Sequence, residues 1–323
     1  MNYENLGRWS AVKIGNFRVK GREFVGVVID PSRVLDITLA ATVFGEENPS
    51  EFAILDEIIR NHRLAGVNSL IAQCSDSIKN SSEIRVQPLY LNLEQLEFLP
   101  PVLHPGKMLF PAINYPTHGS EQNAELPEKP YFFTKFPECI LSHNGNVLAP
   151  RNSEQTDYEA ELAVIIGKGG KYIPRGEAMN HVFGYTVLND VSYRDFQLGP
   201  LGGRNMTLGM DWVKGKAMDS ACPIGPYVVT SDEVPDPYRL KIYMRVNGEQ
   251  RQSDVTGSMI FKIDEMIEFL SNGLTLNPGD IISTGTPAGV GAFTGNRFLK
   301  DGDLMETEVE GIGILRNRVV KEK

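Results

Sequence analysis

Residues 157–167 read DYEAELAVIIG, and the rest of the chain can be ordered around them. A run this rich in Val and Ile, closed by Gly167, is a strand. On a strand, Glu159 and Glu161 lie two residues apart and point to one face, which Ala163 and Ile165 continue as apolar surface. Two carboxylates on a buried face repel each other and are costly to desolvate, so a divalent cation is the simplest compensation. A solvated strand end is the alternative. Asp190 closes a second apolar run, GYTVLND (184–190), just before a turn. Three carboxylates from two strands would form an all-oxygen site with positions left for water or substrate, which favours Mg²⁺, Mn²⁺ or Ca²⁺ over zinc. For Asp190 alone, an ordinary turn acid at a strand end competes with that reading.

Outward from these strands the texture stays β-rich. PIGPYVVT, LKIYMRVNG, DIISTG, LMETEVEGIG and ILRNRVV are short runs punctuated by Gly and Pro. Two helices are expected among them. One is short and follows Pro174; the other spans Ile263–Asn272, with Ile263, Met266, Ile267 and Leu270 on one face and Gly273 ending it. Regular βαβα alternation is missing, which argues against a doubly wound parallel sheet and for a mixed-β barrel, roll or sandwich. Residues 1–100 form a smaller α/β unit. Its strand candidates are WSAVKIG, EFVGVVID, RVLDITLA and IRVQPLYLNL, and its helix runs from Ser50 as N-cap to Asn61. The proline-rich stretch FLPPVLHPGK (98–107) reads as a linker to the larger unit, 101–323.

Further chemistry clusters around these acids. In INYPTHGSEQ (113–122), His118 and Glu121 share a side if the segment makes a helical turn, and a carboxylate beside an imidazole suits general-base work. A surface His–Glu pair is the plain alternative. Pro116 and Gly119 favour a loop or a short lid helix there. Arg194 and Gln197 follow Asp190 in NDVSYRDFQ. Lys216 follows the glycine-rich LGPLGGRN, a candidate mobile loop, and each of these polar groups, taken alone, is more often an ordinary surface group. PGDIISTGTPAGVG (278–291) lacks the spacing of a phosphate loop; it reads as a tight turn that offers backbone amides and the Thr286 hydroxyl to a ligand. No G-x-S-x-G elbow supports a serine hydrolase.

The bulk numbers exclude other classes. A net charge of −9 with no basic cluster disfavours nucleic acid and anionic membranes as partners. Three widely spaced cysteines indicate neither disulfides nor a thiolate metal site, and they fit a reducing cytoplasm. The N-terminus lacks the pattern of a signal peptide, and no apolar stretch is long enough for a transmembrane helix.

Taken in order, NYPTHGSE, KFP (135–137), DYEAELAVIIGK, GYTVLNDVSYRDFQ, KGKAMDSACPIGP, VNGEQRQ, SMIF and GDIISTGTPAGVG resemble the fumarylacetoacetate hydrolase family, in its C-terminal-domain branch, over roughly residues 107–321. The resemblance implies an α+β, mostly β fold of mixed β-roll type, a small N-terminal domain (1–100) and a catalytic domain (101–323). It implies Glu159, Glu161 and Asp190 as ligands of Mg²⁺ or Mn²⁺, with Ca²⁺ also compatible. His118 and Glu121 map to a lid dyad and Lys216 to a catalytic lysine, with Ala217 and Met218 replacing the usual Ser-Phe and altering the pocket wall. Gln197 and Thr286 map to groups that bind a substrate carboxylate, and Arg194 to an arginine near the metal. The implied activity is hydrolysis of a C–C bond in a 1,3-diketone or acylpyruvate-type 2-oxo acid by a cytoplasmic homodimer. Decarboxylation of an oxaloacetate-type substrate, isomerisation or hydration would use the same metal site, and a non-catalytic organic-acid-binding module is a further reading.

Overall fold

The computed structural model describes residues 12–79, 86–197 and 210–323. Its largest sheet has twelve strands. From one edge the main path runs Tyr90–Asn92, Arg33–Asp36, Arg22–Asp30, Lys13–Val19, Cys222–Thr230, Val182–Asn189, Ala160–Ile166, Ile281–Ser283, Met108–Pro111 and Phe132–Thr134. Strands Glu97–Phe98 and Ile140–Leu141 attach beside this path. A five-stranded sheet (Glu249–Val255, Lys241–Val246, Leu304–Val309, Gly313–Lys321, Asn146–Ala149) packs against it. Most pairings are antiparallel and three are parallel, so the class is α+β, mostly β, with mixed sheets. Among the described residues the large sheet stays open, so the closed-barrel form of the expectation is not what forms.

Strand Ala160–Ile166 is buried on both faces. Leu162, Val164 and Ile166 join one core cluster with Met244, Met305 and helix Ile263–Ser271; Ala163 and Ile165 join a second cluster with the N-terminal helices. Period-two alternation therefore places Glu159 and Glu161 on the Ala163/Ile165 side, as the spacing requires. The antiparallel register pairs Ala160 with Asn189, so Glu159 and Asp190 meet across the strand ends. Glu159 N–H donates to the Asn189 side-chain oxygen (3.0 Å), and Asp190 N–H donates to the Glu159 carbonyl (2.9 Å).

The segment before residue 100 continues the same sheet. Lys13 and Ile14 pair with Val229 and Val228, and Ile14, Val25 and Val27 share a cluster with Ile224 and Ile281. The expected helix 50–61 divides: a 3₁₀ turn Pro49–Phe52 precedes helix Leu55–Arg60, because Ile54 is extended, and Ser50 lies inside the turn instead of capping it. The apolar stripe Phe52, Leu55, Ile58 and Ile59 is buried nonetheless. RVLDITLA is strand only to Asp36, whose carboxylate accepts from Leu39 N–H and caps helix Ile37–Val43. IRVQPLYLNL supplies only Tyr90–Asn92 as strand, and residues 80–85 lie outside the described residues. A sixteen-residue helix, Leu64–Lys79, was not anticipated; it buries Val67, Leu70, Ile71 and Cys74 at helical spacing. The two C-terminal helices occur as expected in place, the first as a 3₁₀ helix Arg175–His181 and the second as Ile263–Ser271. The cysteines are buried and unpaired, and no helix among the described residues is long and apolar enough to cross a membrane.

At Gly184 the strand Val182–Asn189 comes so close to its neighbour that a Cβ would sit 2.3 Å from the Val229 carbonyl oxygen. Overpacking of this kind typically costs about 1–3 kcal/mol. Gly184→Ala is expected to lose at least that much in urea unfolding, since the obstacle is backbone. Gly176→Ala, where nothing lies within 4 Å, should shift stability by under about 0.5 kcal/mol.

Candidate metal centre and active site

Oxygens of Glu159, Glu161 and Asp190 lie within 4.8 Å of one another, and all three residues are buried. Lys216 Nζ donates to Glu159 Oε2 (2.8 Å) and Asp190 Oδ2 (2.7 Å). Arg194 Nη2 donates to Glu159 Oε1 (2.6 Å), its Nε to Asp157 Oδ2 (3.0 Å) and its Nη1 to Gln197 Oε1 (3.0 Å). Burial pushes the Glu159 carboxyl up, but Lys216, then Arg194, outweigh it and hold the group below the usual carboxylate range. At Glu161 the pull of Ser283 and Lys216 is outweighed. Burial, then Asp190 and Glu159, push it well above that range, and Ser283 Oγ donates a short hydrogen bond to it. Lys216 stays charged in spite of burial because Asp190 and Glu159 face it.

The residues fit a hard divalent cation. Every donor is a carboxylate oxygen. Asp190 Oδ1 is buried and accepts no hydrogen bond, although Lys135 Nζ lies 2.5 Å away. Four buried carboxyl groups (Asp157, Glu159, Glu161, Asp190) face three cations (Lys135, Arg194, Lys216), so full ionisation of the four leaves one negative charge in excess. A divalent ion would turn that excess positive, a state suited to an anionic ligand.

Pro116 opens a short helix, Pro116–Glu121, at the position where its missing N–H is harmless. Asn123 in the left-handed region ends it: Asn123 N–H donates to Ser120 O and Ala124 N–H to Gly119 O, a Schellman closure. His118 Nδ1 meets Glu121 Oε1 at 2.6 Å, and His118 Nε2 meets Gln122 Nε2 at 2.7 Å. The second oxygen of Glu121 accepts from Gly289 N–H (2.8 Å). Asp157 accepts from Gly291 N–H and Ala292 N–H. The turn 285–292 therefore does present amides as its sequence suggests, but to protein carboxylates.

A cavity of about 220 Å³ is lined by Glu159, His118, Gln122, Arg194, Gln197 and Lys216, with Phe133, Trp212 and Phe293 among its apolar walls. Gly215 allows this assembly, because a Cβ there would lie 2.4 Å from Gln197 Cβ. Of the residues singled out from sequence, Glu159, His118, Arg194, Gln197 and Lys216 converge on the cavity, and Glu161, Asp190 and Glu121 stand directly behind them. Thr286 does not line it: its hydroxyl donates to the Ala160 carbonyl and accepts from Gln252, bracing the strand that carries the acids. Ala217 and Met218 pack against the core clusters and do not line the cavity. The glycine-rich stretch 198–205 lies outside the described residues. Sequence reading overlooked Lys135, Asp157, Gln122 and Gln252. Each sits inside or beside a quoted block, yet nothing in its spacing marks it as buried.

The Fumarylacetoacetate (FAA) hydrolase C-terminal family model matches residues 108–320. The chain is 48% identical over 227 residues to oxaloacetate tautomerase FAHD2A, mitochondrial, of Bos taurus, covering 70% of each. It is 35% identical over 313 residues to oxaloacetate tautomerase YisK of Bacillus subtilis, covering 95% of this chain and 100% of that protein. Among solved structures it is similar to fumarylpyruvate hydrolase from Pseudomonas aeruginosa in complex with Mn²⁺ and pyruvate. That match has 33% identity and a TM-score of 0.61, over 68% of this chain and 91% of the other. A buried carboxylate trio, a dyad beside it and these likenesses converge on one conclusion: the chain belongs to the fumarylacetoacetate hydrolase family.

Proposed function

We propose that this protein is an enolising enzyme that interconverts the keto and enol forms of oxaloacetate or a similarly short 2-oxo diacid, with Mg²⁺ or Mn²⁺ on Glu159, Glu161 and Asp190. The observation that carries this is that the imidazole of His118 lines a small cavity together with Glu159 and Lys216. A cavity of about 220 Å³ is below the range of drug-sized pockets, roughly 300–1,000 Å³, and suits a ligand of a few carbons. Likeness to two proteins named as oxaloacetate tautomerases, one along its whole length, supports the same substrate class.

When bound, the divalent ion supplies the positive charge that polarises the 2-oxo carbonyl and acidifies the neighbouring C–H. The residues do the rest. Glu121 orients the imidazole and stabilises its charged form. His118 Nε2 takes a proton from C3 of the keto acid. The C–H pair becomes the C2=C3 bond, and the carbonyl π pair moves to the oxygen. Return of the proton to that oxygen gives the enol, so no co-reactant is consumed. Lys216 helps to keep Glu159 ionised and bridges it to Asp190. Hydrolysis of an acylpyruvate is the second reading; the His–Glu dyad, which suits activation of water, favours it.

Initial rates of enol disappearance, followed by ultraviolet absorbance with oxaloacetate enol and Mg²⁺, should rise well above the buffer rate. Acetylpyruvate cleavage measured in parallel should be slower by an order of magnitude or more. The reverse order would replace the tautomerase reading with the hydrolase one.

Two substitutions separate the roles. His118→Asn should lower kcat about 10²–10⁴-fold, the usual contribution of general acid–base catalysis, while leaving Mn²⁺ affinity by calorimetry unchanged. Glu159→Gln should lose most Mn²⁺ affinity and turnover together. Full turnover of Glu159→Gln after chelator treatment would exclude a metal-dependent reaction.

A further inference from the structure

Gln122 follows the dyad in the chain and plays no part in the chemistry above. It caps the helix Pro116–Glu121 and stands four residues beyond His118, so one helical turn brings Glu121 and Gln122 to the two ring nitrogens. Hydrogen-bond bookkeeping settles which way the protons point. The Glu121 carboxylate only accepts, and its other oxygen is already engaged by Gly289 N–H, so Nδ1 of His118 carries the hydrogen. A neutral imidazole then has a single lone pair, on Nε2. The group 2.7 Å from it is the Gln122 side-chain nitrogen, which can only donate. With no substrate bound, the one proton-accepting atom of the base is therefore covered by an amide that also lines the cavity.

We propose that Gln122 is a specificity-determining positioning residue that acts through His118: it holds the base for a C–H proton of an anchored substrate and keeps solvent water from being activated there. This rests on the tautomerase reading above. Displacing the amide costs a hydrogen bond. An anchored 2-oxo acid can meet that cost with binding energy from its remote groups, whereas a loose water brings none. Hydrolysis of an acylpyruvate would need that water to give its proton to Nε2 and its oxygen to the acyl carbon. The C–C pair would then leave on C3 of the pyruvate half, which regains the proton. Gln122 raises the barrier to the first of these events and leaves direct transfer from C3 available.

The test compares the unsubstituted enzyme with Gln122→Met, close in volume and lacking the donor, and Gln122→Asn, which keeps the amide. The side chain is only half-buried, and thermal unfolding verifies that each variant is folded. Acetylpyruvate hydrolysis relative to oxaloacetate enolisation is expected to rise about three- to tenfold in Gln122→Met, the range a single neutral hydrogen bond supplies, and less in Gln122→Asn. ¹⁵N NMR of His118 in the substrate-free protein should show Nδ1 protonated and Nε2 as an acceptor, with the Nε2 resonance moving only when the donor is removed. If enolisation is intact in the unsubstituted enzyme but neither the ratio nor the Nε2 signal moves in Gln122→Met, the role of Gln122 is overturned. No enolisation by the unsubstituted enzyme overturns the reading on which it rests.

Discussion

Glu159 is a carboxylate withdrawn from water, and its ionised form survives because Lys216 and Arg194 hold one oxygen each. Most of the site follows from that constraint. Lys216 is buried by the same contact and bridges the carboxylates of Glu159 and Asp190. Arg194 ties Glu159 to Asp157, and Asp157 in turn gathers the amides of Gly291 and Ala292. Breaking a buried pair from one side commonly costs about 3–5 kcal/mol, so each member is fixed by the others. Glu161 is the member without a cation of its own, and its carboxyl is pushed up accordingly. The imbalance fits the proposed divalent ion: a cation placed there relieves the group with the least compensation in the cluster.

The helix Pro116–Glu121 and the strand proposed to hold the metal are also mechanically joined. Glu121 uses one oxygen to orient His118 and the other to hold Gly289 N–H. Two residues further on, the same turn is held by Asp157 next to the metal strand. Gln252 adds a third tie, accepting from Ala160 N–H and donating to Thr286 Oγ1 and Pro287 O. A displacement of the turn would thus disturb the base and the ligand strand together. This explains why a stretch that looks like a ligand-binding loop has its amides and the Thr286 hydroxyl committed within the protein.

Much of this was legible in the sequence, and the misses have physical causes. Period-two spacing located Glu159 and Glu161 because strand geometry has no freedom to place them otherwise. The pair of strand ends that brings Asp190 to Glu159 is a matter of register, which spacing within either strand does not contain. Lys135 could not be found this way. Its partners are Asp190 and the carbonyls of Val191 and Ala221, distant along the chain, and a lone lysine in sequence reads as surface. Helix Leu64–Lys79 escaped notice for a different reason. Its apolar stripe is clear at 67, 70, 71 and 74, but Asn68, Ser69, Gln73, Ser75 and Ser77 dilute it, and tertiary burial of the stripe overrides their weak propensity. In RVLDITLA the apolar run crosses a change of state at Asp36, where a cap decides what hydrophobicity alone cannot.

The charge balance also bears on the choice between reactions. With a divalent ion in place the cluster carries one positive charge in excess, so one carboxylate of the substrate is matched. Arg194 and Lys216, the cations that line the cavity, are both engaged by Glu159 and its neighbours. Negative charge developing on a substrate oxygen during enolisation is therefore met at the centre and not at the cavity's far wall. A hydrolytic path asks for more, because it must also stabilise charge on the acyl carbon's oxygen, away from the chelating end. Outside the charged cluster the polar groups of the cavity include the amides of Gln122 and Gln197, and Gln197 already gives its oxygen to Arg194. A site furnished in this way fits the proposed transfer of a proton beside a polarised carbonyl better than the addition of water to a second one.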